Sequence, residues 1–270
     1  MMHHDLSVRS LNSDDAAAGY TLSTAAGWNQ TIEDWKFMLG SLPVQGYVAL
    51  AETEVVGTAL SINYTDQYSW IAMVLVHEQY RRKGIAHSLM KLLLNDLGVA
   101  RCIELDATSY GKDLYASLGF YPKFEIIRFT KDYFSVSELS QYHGVKDPGA
   151  VALADQMNWG IDRKSMIHHL QSFVQGNNYI SYRQGRVFTQ IGPLCAEDIR
   201  IAKKLCIDCL QIIPGDKIAV DVVCWQIGFI SWLISIGFVE QRRFERMYAH
   251  HAVSSHLRSN QYLIAGPEFG

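Results

Sequence analysis

The rhythm of apolar and polar positions changes several times along the chain, and each change marks an element. Leu6 to Leu11 alternates apolar and polar side chains, the period of a half-buried strand. Asp14-Asp15 then precede a helical region, residues 16–39, interrupted by Gly19 and Gly27. Tyr47–Ala51 and Val55–Tyr64 alternate again and are joined by Glu52-Thr53-Glu54, which reads as a hairpin. Trp70 to Val76 is an apolar strand. After the polar segment His77-Glu78-Gln79-Tyr80 the spacing switches to three and four: Ile85, Leu89 and Leu92, with Ala86, Met90 and Leu93 beside them. That spacing predicts an amphipathic helix, ending near Asn95–Gly98.

Cys102–Leu105 reads as a buried strand, residues 107–111 as a polar loop, the segment around Tyr115 as a short helix stopped at Gly119, and Phe124–Phe129 as a further strand. Residues 131–150 lose all periodicity and contain Asp147-Pro148-Gly149, so the domain boundary is placed there. The stretch from Leu153 through Phe173 then reads as helical, with Leu153, Met157, Ile167 and Leu170 as core positions. Tyr179–Tyr182 and Arg186–Ile191 suggest a hairpin around Gln184-Gly185. The remainder repeats the first half in outline: strand end, turn and helix, then strand, helix, Gly237-Phe238 and a final strand.

The turn Arg81-Arg82-Lys83-Gly84-Ile85-Ala86, running on to His87, carries the first chemical signal. A glycine turn opening into a helix leaves the first backbone N–H groups unpaired and pointing outward. With the positive end of the helix dipole and three cationic side chains, those donors form an anion site suited to a pyrophosphate. A short motif of this kind also matches by chance in solvated surface turns. Here an apolar strand before it and an amphipathic helix after it favour the functional reading.

Val74-Leu75-Val76, the R-x-x-G-x-A at 81–86 and Tyr115 four residues before Gly119-Phe120 together make the chain resemble the GNAT superfamily of acyl-CoA-dependent N-acetyltransferases. The wording around Leu105–Phe120 and the Gly27-Trp28-Asn29-Gln30-Thr31 segment look like a subgroup with a second, divergent GNAT-like half. The resemblance implies an α/β (α+β) fold: a mixed, mostly antiparallel central sheet flanked by helices, followed by a second degenerate GNAT-like domain. It implies a GNAT domain over 1–136 and its divergent copy over 137–270. It also implies that the strand at Val74, Leu75 and Val76 splays from its neighbour and pairs with the pantetheine arm of acetyl-CoA. Thr108 stands where many family members carry an Asn contacting that arm, with less reach. The helices near the N-terminus would lie over the acceptor cleft, making Trp28, Asn29, Gln30 and Asp34 candidate lining residues. Core anchoring for the tryptophans and capping for the polar residues are equally open.

Tyr115 is the implied acid, protonating the departing thiolate. Its alternative role is an aromatic that packs helix on sheet. An ammonium acceptor must lose a proton before attack, and His77, Glu78 and Glu104 are candidate bases that spacing does not separate. In the second half the basic glycine turn is replaced by Ala196-Glu197-Asp198, whose acids would repel a pyrophosphate. Leu233 replaces the tyrosine. That half is expected to be a scaffold without a working cofactor site.

Composition adds limits. The net charge of −3 argues against nucleic acid as a main partner. Five widely spaced cysteines and an N-terminus without an apolar leader suggest the cytoplasm. Cys206 and Cys209 lie in a helical pattern with no second pair or histidine cluster, so they read as buried thiols and no metal is assigned. Val222–Val239 is an uncharged run of 18 residues, read as buried core and not as a membrane span. The expectation is an acetyl-CoA-dependent N-acetyltransferase acting on a small primary amine, as a monomer or homodimer. The alternative is a non-catalytic acyl-CoA-binding module.

Overall fold

The computed structural model describes residues 6–132, 146–213, 217–251 and 259–270. The boundary expected at 136/137 lies outside them. The chain divides into two compact units. Among the described residues the first takes 6–105, 111–121 and 248–251, and the second takes 106–110, 122–132, 146–213, 217–247 and 259–270.

In the first unit, strands β1 (Leu6–Ser10), β2 (Val44–Ala51), β3 (Glu54–Thr65) and β4 (Tyr68–Val76) follow one another in an antiparallel ladder. β5 (Cys102–Ala107) joins β4 in parallel. The parallel step is possible because α3 (Ile85–Leu97) crosses between them. Its buried stripe is Ile85, Leu89, Met90, Leu93 and Leu97. Leu92, which the spacing also placed on the apolar face, is 38% exposed. At about 100° per residue it falls at the edge of the stripe, beyond Ile85.

The helical region divides into α1 (Ala16–Ala25) and α2 (Ile32–Ser41). Only Gly27, at φ +72°, breaks it. Gly19 sits inside α1 for a different reason: a Cβ there would lie 2.4–2.6 Å from ring atoms of Trp35. Trp35 is fully buried and donates its indole N–H to Ser23 Oγ at 3.0 Å, so it is the anchor of the helix pair.

The second unit orders its strands β11-β6-β10-β12-β9-β8-β7. These are β6 (Tyr121–Asp132), β7 (Gln171–Gln175), β8 (Asn178–Gln184), β9 (Thr189–Cys195), β10 (Lys217–Val223), β11 (Val239–Ala249) and β12 (Gln261–Leu263). Helices α7 (Ile199–Ile212) and α8 (Ile227–Ser235) form one apolar core with the sheet. Ile127, Phe129, Ile191, Leu205, Cys206, Cys209, Val220, Phe229 and Leu233 all belong to it. Cys206 and Cys209 are thus core thiols, and burial pushes Cys206 up to about 12. The uncharged run 222–239 resolves into the end of β10, α8 and the start of β11. No described helix is long and apolar enough to cross a membrane.

Three expectations are corrected here. The region from Leu153 to Phe173 is not one helix. Gly160, at φ +73°, separates α5 (Pro148–Trp159) from α6 (Lys164–His169), and Gln171–Gln175 is strand β7, paired with β8. Leu153 and Met157 are 66% and 59% exposed, whereas Ile167 and Leu170 are buried as expected. α5 instead turns Asp155 inward, fully buried, because Arg163 donates to it at 2.7 and 3.1 Å and Tyr179 at 2.6 Å. A buried carboxylate so held outcompetes apolar residues for the inner face. Lastly, the tail strand β12 has no counterpart in the expected outline.

Candidate active site

β4 carries a bulge at its centre. Leu60 faces Ala72 and Thr58 faces Leu75, so Met73 and Val74 together oppose Ala59. Met73 takes φ +52°, and its carbonyl accepts from Thr58 Oγ1 at 2.7 Å, which fixes the irregularity. On the other side of β4 the ladder to β5 runs only from Tyr68–Cys102 to Trp70–Glu104. Beyond Trp70 the strands part. Val74, Leu75 and Val76 continue along β3 with no ladder partner on the β5 side among the described residues.

The chain then passes through a single 3-10 turn, Glu78–Tyr80, into the basic segment. Arg81 folds back to donate its Nε to the Val76 carbonyl at 3.2 Å, tying turn to strand end. Lys83 lies over the Tyr80 ring at 4.8 Å. Arg82 and Gly84 both adopt positive φ, +60° and +78°. Glycine suits the second because α3 starts there: the Gly84 carbonyl accepts the first helical bond, from Ser88. Gly84 has no side chain to cap α3, so the first-turn N–H groups, including those of Ile85, Ala86 and His87, have no side-chain partner from the cap. A Cβ at Gly84 would meet nothing within 4 Å, so the space beside the start of α3 is open at Gly84 itself. Arg81, Arg82, Lys83, Gly84 and His87 are all exposed. The turn therefore fits a diphosphate: converging N–H donors, the positive end of a helix, and three cations.

Tyr115 lies in α4 (Lys112–Ser117), buried, with its ring edge-on to Phe120 at 5.9 Å. Its hydroxyl makes no hydrogen bond among the described residues, and burial pushes its pKa well above the ordinary tyrosine value. α4 ends at Gly119, φ +88°, where the Phe120 N–H returns to the Tyr115 carbonyl at 3.0 Å.

The remaining expected residues are placed as follows. Asp34 is buried and caps α2 in a reciprocal box with Thr31, accepting from the Thr31 backbone N–H at 2.7 Å. Asn29 and Gln30 are buried and Trp28 is half-buried, all on the connection between α1 and α2. Thr108 is half-buried in the loop after β5 and belongs to the second unit. Of the three candidate bases, Glu104 is buried and accepts from the Tyr68 hydroxyl at 3.0 Å, and Glu78 is exposed. His77 keeps Nδ1 buried without a partner among the described residues.

The second unit repeats this geometry with two differences that fill the corresponding places. α7 is capped by Asp198, whose carboxylate accepts from the N–H groups of Arg200 at 2.7 Å and Ile201 at 3.1 Å. A carboxylate of the protein thus sits where the first unit leaves donors open. The parallel strands β9 and β10 also part, after Ile191–Val220, as β4 and β5 do after Trp70. Here the gap is closed by β12, with Leu263 paired to Leu194 on one side and Val222 on the other. α8 ends as α4 does, Phe238 N–H returning to the Leu233 carbonyl at 3.0 Å with Gly237 at φ +91°, but Leu233 has no hydroxyl. The acidic turn and Leu233 were visible in the sequence. The closing strand was missed, since three residues of tail give no periodic signal.

Two domain models described as "Acetyltransferase (GNAT) domain" match the chain, one over residues 43–122 and one over 151–263. The chain is similar to holothin acyltransferase of Pseudoalteromonas sp. (strain SANK 73390), 24% identical over 219 residues that span 75% of this chain and 74% of that one. Among solved structures, a Pyrococcus horikoshii protein assigned as an acetyltransferase superposes with a TM-score of 0.84 at 19% identity, over 100% of this chain and 98% of the other. A tandem GNAT protein from the clavulanic acid biosynthesis pathway gives 0.65 at 12% identity, over 93% and 100% of the two chains. At these identities the solved structures establish the fold.

Proposed function

Because the chain belongs to the GNAT acetyltransferase family and carries two such domains in tandem, we propose that it moves an acetyl group from acetyl-CoA to a primary amine of a small acceptor, by direct attack in a ternary complex. The observation that carries this reading is the open, uncapped first turn of α3 behind Gly84. Acetyl-CoA, when bound, supplies the activated thioester.

Arg81, Arg82, Lys83 and the N–H groups of Ile85, Ala86 and His87 hold its diphosphate. The unpaired side of Val74–Val76 holds its arm as an added strand, and an N–H there polarises the thioester carbonyl. Fixing the donor this way makes the transfer an oriented, effectively unimolecular step. Tyr115, kept protonated by burial, gives a proton to the sulfur as it leaves. The tyrosinate left behind would be a costly charge in an apolar place, so the proton shed by the ammonium acceptor must return to Tyr115 to complete the cycle. His77, with its partnerless Nδ1, supports the role of base better than Glu104, whose carboxylate is already engaged.

The test is release of free CoA thiol from acetyl-CoA across a panel of small amines, read against the Tyr115→Phe variant. Amine-dependent release that the variant loses supports the reading. Acetyl-CoA binding with no release for any amine would leave a binding module instead.

A further inference from the structure

The sheet of the second unit has one apolar face, packed under α7 and α8, and an opposite face that carries charge. Ile127, Phe129, Val220 and Val222 belong to the apolar core. The residues between them, Arg128 and Asp221, project the other way and stand directly opposite in the β6–β10 ladder. Arg128 donates through Nε and Nη2 to the Asp221 carboxylate at 2.7 and 2.6 Å, and Gln190 Nε2 adds a third bond at 3.1 Å. The Arg128 guanidinium lies over the rings of Phe188 and Phe244, 5.1 and 5.0 Å from their centroids. Its Nη1 donates to nothing among the described residues.

Arg242 lies two residues before Phe244, on the same side of β11. It approaches the same ring at 5.8 Å, so two guanidinium groups share one phenyl ring. The other charges around them are matched. Asp221 is taken by Arg128, Glu268 by Arg183, and Asp106 by Arg246 at 2.8 and 2.9 Å. Arg242 has no carboxylate partner among the described residues, and its side chain is partly covered while still reaching solvent. Burial and the like charge of Arg128 both lower its pKa, against the pull of Asp221. The cluster therefore holds one unmatched positive charge.

We propose that this face of the second unit is a binding site for a small organic carboxylate, held in a fork between Arg242 and the outer nitrogen of Arg128 beside the Phe188 and Phe244 rings. A planar carboxylate accepts from two guanidinium groups at once, and the aromatic walls favour an apolar body behind it. One unmatched cation suits a monoanion. The second charge of a phosphate would face Asp221, Glu268 and Asp106 without compensation. The site is independent of the acyl-transfer reading, since it lies within the second unit and needs no acetyl-CoA.

The test is calorimetric titration of the full chain, without acetyl-CoA, by benzoate, by the neutral isostere benzamide and by inorganic phosphate. Saturable benzoate binding is expected, with benzamide weaker by about tenfold or more. Arg242→Gln should weaken benzoate by a similar factor while the melting temperature holds or rises, because no ion pair is lost and a like-charge contact is relieved. Arg242→Lys should restore most of the affinity. The proposal is overturned by absent benzoate binding, by benzamide binding as well as benzoate, by an Arg242→Gln protein that binds like the parent, or by phosphate binding more tightly than benzoate in an Arg242-dependent way.

Discussion

Leu263 pairs with Leu194 across the opening that parallel strands β9 and β10 leave as they diverge. In the first unit β4 and β5 diverge in the same manner, and no strand of the described residues fills the gap beyond Trp70. An extended ligand arm can add to a strand edge only where the edge is free. The second half has satisfied its own edge with tail backbone and its own helix start with the Asp198 carboxylate. Two independent devices thus close one half, while Gly84 and the parted strand keep the other open.

Tyr115→Phe removes a buried hydroxyl and keeps the ring that meets Phe120 edge-on. If that hydroxyl protonates the leaving sulfur, kcat should fall by about 10²–10⁴-fold while acetyl-CoA binding stays near the parent value. Thiol-release kinetics and calorimetry measure the two separately. An unchanged kcat would assign Tyr115 to packing alone.

Gly19→Ala tests the α1–α2 contact. In most helix interiors this change stabilises, by about 1 kcal/mol. Here the added methyl would meet Trp35 ring atoms at 2.4–2.6 Å, so either the helix or the buried indole must move. A loss of about 1–3 kcal/mol in denaturant unfolding is expected. A gain would show that the two helices separate at no cost.

Asp221→Asn leaves the Arg128 guanidinium buried opposite a neutral amide. Removing one partner of a buried pair costs about 3–5 kcal/mol, much of it from the stranded charge. The urea midpoint of Asp221→Asn should therefore fall far more than that of Arg243→Gln, whose partners Glu240 and Glu125 are on the surface. Similar midpoints would contradict the account of this pair.

Asp15 is buried, which by itself raises its pKa. The bidentate bonds from Arg9 at 2.7 and 2.8 Å and the Asn12 N–H outweigh that effect and hold the carboxyl below its ordinary value. A depressed folded pKa means the contribution is complete above the unfolded value of about 3.9 and disappears as pH falls through the folded one. Arg9→Gln should therefore move the acid-unfolding midpoint, followed by circular dichroism, to higher pH. No movement would mean that burial alone governs Asp15.

The local geometry of the first unit was largely legible in the sequence because local signals set it. Gly84 and Gly98 bracket α3 at its two ends, and the alternation of β2 and β3 with the Glu52 turn yields their hairpin. What escaped depended on long-range pairing. Nothing local says that Arg128 finds Asp221, 93 positions away, or that three tail residues slot between β9 and β10. The inner face of α5 was misread for the same reason. Asp155 and Asn158 are buried there because Arg163, just past the end of α5, and Tyr179, Asn260 and Gln261, from later segments, supply partners, leaving Leu153 and Met157 to solvent.

The central claim, that one of the two halves grips a diphosphate and the other does not, is measured by the stoichiometry of coenzyme A binding. Calorimetry on the full chain should give one equivalent per chain, abolished by Gly84→Glu and retained in Asp198→Gly. Two equivalents in the parent, or a Gly84→Glu protein that still takes up coenzyme A like the parent, would contradict it.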